Sequence, residues 1–192
     1  MNEKQGQIRH VEHIKIAGNP HSYCAWPWMG GLHNFGNGEI TVAFFQAGCR
    51  YESEEDVNHY KVERRSQTVL RRSLDSGATW PEALQVTIFD NSTPLENLVP
   101  EAKAARQAID MSRPASILYC GRSLVTGLQG HQAVWIPPQN RLLRPVTFVV
   151  RSSDKGYTWD KAPIVISPFH LDHVWGFTQY VKMPDGSLLL PL

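Results

Sequence analysis

The sequence is short of several things, and each shortage removes a class of answer. It has no excess of charge of either sign: 19 Lys and Arg stand against 18 Asp and Glu, a formal net charge of +1. Sequence-independent attraction to phosphates needs a clustered excess of cations, so nucleic acid is not an expected partner. No apolar run approaches the ~18 residues of a membrane-spanning helix, so no membrane is expected either. Met1 to Ala17 is polar, carries Lys4, Arg9 and Lys15, and has no apolar stretch of the secretory kind, which makes cytoplasmic the expected location. Cysteine is scarce and odd in number. Cys24, Cys49 and Cys120 form no CxxC pair, which argues against a disulfide scaffold and a thiolate zinc site. Helix-forming sequence is scarce too: only Glu96 to Ile109 has that character, and it is short and expected to lie in a loop.

What is present reads as all-β. The 192 residues are 42% hydrophobic, enough for one sizeable core or two small ones. Fourteen glycines and 13 prolines are spread along the chain and bound short apolar runs rich in β-branched and aromatic residues. Strands are expected at Ile40–Phe45, Thr68–Leu70, Val86–Phe89, Ile117–Tyr119, Val146–Val150, Ile164–Ile166 and Ser187–Leu190.

Two segments share the frame SxDxGxTW: Ser73-Leu74-Asp75-Ser76-Gly77-Ala78-Thr79-Trp80 and Ser152-Ser153-Asp154-Lys155-Gly156-Tyr157-Thr158-Trp159. Each follows an expected strand ending in Arg and precedes another strand. The Asp carboxylate accepts backbone N–H bonds, Gly permits positive φ, and Trp packs beneath the turn. Both segments are therefore read as turn locks. Asn37-Gly38 and Asp185-Gly186, each between two runs, are the strongest short hairpin signals available. The order within a unit is strand, tight turn, strand, long loop, strand, box, strand.

This pattern resembles the sialidase superfamily, whose six-bladed β-propellers carry such Asp boxes between the third and fourth strands of a blade. The resemblance runs from about Tyr23 to Leu192. It implies a propeller of which this chain (1–192) covers about two and a half blades: blade one over about 22–90, blade two over about 112–168, and the start of blade three over 170–192. Closed propellers have four or more blades. The chain is thus expected to be the N-terminal part of a longer protein or a truncated product. A small open sandwich or barrel is the rival architecture.

In an up-and-down blade the tight turns and both boxes fall at one end. The long loops, Ala47–Ser66, Asp90–Pro114 and Ser167–His173, fall at the other, where sites are usually built. The first loop gathers Arg50, Glu52, Glu54, Glu55, Asp56, His59, Tyr60, Arg64 and Arg65. Glycoside hydrolysis needs a carboxylic acid to protonate the leaving oxygen. The resemblance places that acid in this loop and points to Asp56, with Glu55 the competitor and a solvated acidic loop the plain reading. The family grips the sialic acid carboxylate with three arginines. Its first arginine has no counterpart in Tyr23-Cys24-Ala25-Trp26-Pro27, which leaves Arg50 and Arg113 as substitutes. His59, Asp172, His173 and the ring of Trp26 complete the expected sugar-binding set. Trp26, Trp28 and Trp175 serve equally as core. No metal and no cofactor are expected. The expected function is a sialidase-like glycoside hydrolase removing a terminal sugar, sialic acid first. The alternatives are a non-catalytic propeller binding glycans or proteins, and an inactive gene fragment. The sequence leaves the oligomeric state open.

Overall fold

The computed structural model describes residues 10–25, 27, 31–57, 62–90, 92–93, 117–126, 134–136, 141–166, 181–185 and 187–189. Antiparallel sheet dominates them. The first sheet contains β1 (Ser22–Ala25), β2 (Leu32–Gly36), β3 (Glu39–Cys49), β4 (Val62–Ser73) and β5 (Val86–Asp90). β1 and β2 share one edge of β3, opposite Phe45–Gly48 and Glu39–Val42 respectively; β4 lies on its other edge and β5 beyond. The second sheet contains β6 (Ile117–Thr126), β7 (Val134–Ile136), β8 (Arg141–Ser152) and β9 (Ile164–Ile166). Here β6 covers one edge of β8, while β7 and β9 share the other. β10 (Val181–Lys182) and β11 (Leu188–Leu189) form a separate hairpin. Among the described residues, neither large sheet closes on itself. Among the described residues, helix is confined to short 3-10 turns such as Glu54–Asp56 and Glu82–Leu84.

The all-β expectation is met, and every expected strand is present, several of them longer than their apolar runs. β3 extends through Gln46 to Cys49 and β4 starts back at Val62, because ladder bonding continues through polar residues once a partner strand is in place. The expected helical segment Glu96–Ile109 lies outside the described residues.

The two sheets share more than a motif. Ile40 opposes Ser73 as Ile117 opposes Ser152, and Thr41 opposes Arg72 as Leu118 opposes Arg151. Leu70 opposes Val86 as Val149 opposes Ile164. Both boxes fold alike. Ser73 Oγ donates to Asp75 Oδ1 at 2.7 Å and accepts the Gly77 N–H at 2.8 Å; Ser152 does the same for Asp154 and Gly156, at 2.8 and 2.7 Å. The Thr79 amide and hydroxyl donate to the two Asp75 oxygens at 2.8 and 2.6 Å, and Thr158 repeats this on Asp154 at 2.9 and 2.6 Å. Trp80 Nε1–H reaches the Gly77 carbonyl at 2.9 Å, and its ring packs on the Val42, Phe44 and Val69 core. The left-handed conformation spans two residues in each box, Ser76 with Gly77 and Lys155 with Gly156. The sequence frame signals only the glycine.

The hairpin turn Asn37-Gly38 has φ of 52° and 81°, the primed geometry that suits strand twist. The Gly38 carbonyl accepts the Ser76 N–H at 2.8 Å, so the tight turn and the first box lie together at one end of the sheet.

Directly opposed residues share a face of a sheet. One face of the first sheet carries Val42, Phe44, Val69 and Arg71, covered by Ile16 and Ala17. Its other face carries Leu70, Arg72 and Phe89, and meets the second sheet. Phe89 packs on Phe148 with ring centroids 4.4 Å apart. Arg72, fully buried, donates to the Lys155 carbonyl at 2.8 Å and to Glu39, beneath the Tyr157 ring 3.7 Å away. Lys155 Nζ reaches Glu39 at 2.8 Å. The second box is thus also a latch onto the first sheet.

Candidate functional site: a polar cleft at the end opposite the boxes

The opposite end of the first sheet opens into a cleft of about 660 Å³. It lies seven residues along β3 from the box end, from Ile40 to Ala47, which is about 23 Å at strand rise. His21 and Ser22 enter it from the start of β1, Gln46 to Gly48 from β3, and Ser66 and Gln67 from β4. Asp90, the last residue of β5, and Ser92 and Thr93 just beyond it close the far side.

Local sequence explains the shape. A bulge between Ala47 and Cys49 breaks the register as β3 reaches the rim, and the Glu63 carboxylate lies in the space beside Gly48 that a side chain there would otherwise take. Asp90 ends β5 in an Asx turn: Oδ1 accepts the Ser92 N–H at 2.9 Å and the main-chain carbonyl accepts the Thr93 N–H at 3.1 Å. Gln46 is held rather than loose. Its amide donates to Ser22 Oγ at 3.1 Å and accepts from Gln85 at 3.0 Å. Gln85 in turn accepts from Arg71 Nε at 3.1 Å and Nη2 at 2.5 Å, and Arg71 Nη1 donates to the Ile16 carbonyl at 2.8 Å. This chain of bonds runs from the N-terminal segment across the sheet into the cleft wall. A smaller cavity of about 210 Å³ adjoins it, sharing Ser22 and Gln46 and reaching Lys15, Arg71 and Glu82. Among the described residues, hydroxyls, amides, one imidazole and one carboxylate make a lining suited to hydrogen-bonding ligands.

Of the residues singled out from the sequence, Arg50 and Asp56 are described. Arg50 is exposed immediately after β3. Asp56 closes the 3-10 turn and accepts the Glu52 N–H on Oδ2 at 2.9 Å. Neither lines the cleft, although the loop that carries them leaves β3 at its rim. The competitor Glu55 is exposed, and the Ser53 hydroxyl holds its carboxyl below the usual range, the wrong direction for a proton donor. His59, Arg113, Asp172, His173 and Trp26 lie outside the described residues. Sequence reasoning passed over Gln46, Gln67, Asp90, Ser92 and Thr93. Their only signal was position: polar residues inside or just past strands otherwise built of apolar ones.

Among the described residues no cluster of His, Cys, Asp or Glu is placed to hold a metal ion, and no helix is long and apolar enough to cross a membrane. Compared with known proteins, the chain matches no family model, no curated protein and no solved structure.

Proposed function

We propose that the chain is part of a sialidase-like, six-bladed β-propeller that takes a terminal sugar in the polar cleft and releases it as an exo-acting glycoside hydrolase. The observation that carries this reading is the position and lining of the cleft. It lies at the loop-bearing end, away from both boxes, and offers hydroxyl, amide and carboxylate groups to a polyhydroxyl ligand. Asp56 is the proposed acid, with Arg50 in the same loop and His59, Arg113, Asp172, His173 and Trp26 completing the sugar set.

The stacking of the sheets supports the propeller over the rival sandwich. A duplicated two-sheet sandwich buries equivalent faces against each other. Here the faces that meet are not equivalent: Arg72 and Phe89 lie on one side of their sheet, while Phe148 occupies the position of Val69, on the other side. A head-to-tail relation of this kind can be repeated. Neighbouring blades of a propeller would be related in this way, which supports that reading over the sandwich.

One observation favours the non-catalytic alternative, a propeller that only binds a glycan or a protein. The Asp56 carboxylate already serves the Glu52 N–H and stands outside the cleft lining. Hydrolysis of fluorogenic glycosides, a sialoside among them, separates the two readings. Release of fluorophore that falls at least a hundredfold in Asp56→Asn supports the hydrolase. Saturable sugar binding with no release by wild type leaves the binding module.

A further inference from the structure

We propose that the cleft selects neutral, hydroxyl-rich sugar rings over sugars bearing a carboxylate, and that Asp90 sets this preference. The inference rests on the sugar reading above and names its ligand class. Among the described residues, Asp90 is the one acidic group in the lining, and no lysine or arginine joins it. Its Oδ1 caps the Ser92 N–H, while Oδ2 has no partner among the described residues and is available to accept a ligand hydroxyl. Of the two cations that line the adjoining smaller cavity, Lys15 and Arg71, Arg71 carries a guanidinium. Its Nε and Nη2 are committed to Gln85 and its Nη1 to the Ile16 carbonyl, so it cannot form a two-pronged clamp on a carboxylate without breaking the network that positions Gln46. Among the described residues, a sugar alcohol therefore meets an acceptor at Asp90, and a sugar acid meets a like charge there.

The test uses pairs of methyl glycosides that differ only at C6: glucoside with glucuronide, and galactoside with galacturonide. Methyl N-acetylneuraminide serves as the anionic outlier. Binding to the whole chain is followed by calorimetry at low salt. Like charges ~4 Å apart near a surface cost at least about 1 kcal/mol, so each neutral sugar should bind at least about fivefold more tightly than its acid. The ratio should shrink at 0.5 M salt, because screening acts on the repulsion alone. Asp90→Asn keeps an oxygen for the Ser92 cap and so preserves the turn. It should bring each acid within about threefold of its neutral partner. Equal or tighter binding of a uronide or the neuraminide by wild type overturns the inference. So does a ratio that Asp90→Asn leaves unchanged, and neither result touches the sugar reading. Failure of every glycoside to bind removes the sugar reading itself, and this inference with it.

Discussion

Replacing Arg72 with methionine should destabilise the protein by about 2–4 kcal/mol, although the residue is remote from any cleft. Its guanidinium bridges the two sheets, through the Lys155 carbonyl at 2.8 Å, the Glu39 carboxylate, and the Tyr157 ring at 3.7 Å from Cζ. A charged hydrogen bond to a buried carbonyl contributes about 1.5–3 kcal/mol, and a desolvated cation–π contact about 2. Against this stands Arg72 Nε, buried without a partner among the described residues, whose cost of about 1–3 kcal/mol methionine removes. Lys155→Ala is the contrast. Its ammonium also reaches Glu39, but its side chain is 48% exposed, and such pairs contribute about 0–1 kcal/mol. Urea unfolding followed by tryptophan fluorescence measures both variants. A double-mutant cycle of Arg72→Met with Tyr157→Leu should return a coupling of about 1–2 kcal/mol. If Arg72→Met costs less than about 1 kcal/mol and the cycle shows no coupling, Arg72 is not the bridge described.

Further consequences follow from the turns and the core. Thr79 and Ser73 hydrogen bonds hold the Asp75 carboxyl at about 2, down from 3.8. Burial pushes Asp154 upward, but the Thr158 and Ser152 bonds outweigh it and hold that group at about 2 as well. Both folded values lie below the unfolded one, so the stabilisation is full above about pH 4 and is lost as pH falls toward 2. Acid unfolding of wild type against an Asp75→Asn, Asp154→Asn double variant should show a flatter limb in the variant over that interval. Gly38→Ala places a Cβ 3.1 Å from the Leu74 carbonyl at a φ of +81° and should cost about 1–3 kcal/mol in urea unfolding. Phe148→Ala, at a fully buried position against Phe89, should cost about 3–5 kcal/mol in the same assay.

The fold was more legible in the sequence than the site, for a physical reason. The boxes are local: within eight residues Ser73, Asp75, Gly77, Thr79 and Trp80 satisfy one another, so the pattern alone specifies the turn. The Asn37-Gly38 hairpin is equally local. The cleft is not. Gln46, Gln67 and Asp90 come from three strands and meet only through pairing between residues 21 to 23 positions apart, Gln46 with Gln67 and Gln67 with Asp90. Ser92 and Thr93 fall in the long loop that starts at Asp90, and nothing local shows that they border a cavity. The charged first loop drew attention because its titratable groups are dense, yet the described part of it turns Asp56 toward its own backbone. Arg72 was legible only as the arginine that ends an expected strand; its burial depends on the packing of a second sheet, which no local pattern encodes.

One substitution explains why the two sheets, alike in register, use their matching arginines differently. Arg151 occupies the position of Arg72, but its Nε donates to Asp160 Oδ2 at 2.9 Å, within its own sheet's connection. Asp160 also donates its N–H to the Arg151 carbonyl at 2.9 Å. In the first sheet the matching residue is Pro81, which has neither a carboxylate nor an N–H to offer. Arg72 is therefore left to Glu39 and the second box, and the joint between the sheets depends on what Pro81 withholds. Pro81→Asp should supply the missing local partner. Pro81 sits at the N-cap of the Glu82–Leu84 turn, where Asp is well tolerated, so the variant should fold. Its expected signature is a fall in the Arg72–Tyr157 coupling to less than about half the wild-type value, with overall stability changed by less than about 1 kcal/mol. An undiminished coupling would show that the second box holds Arg72 whatever lies beside it, and that the difference between the two arginines has another origin.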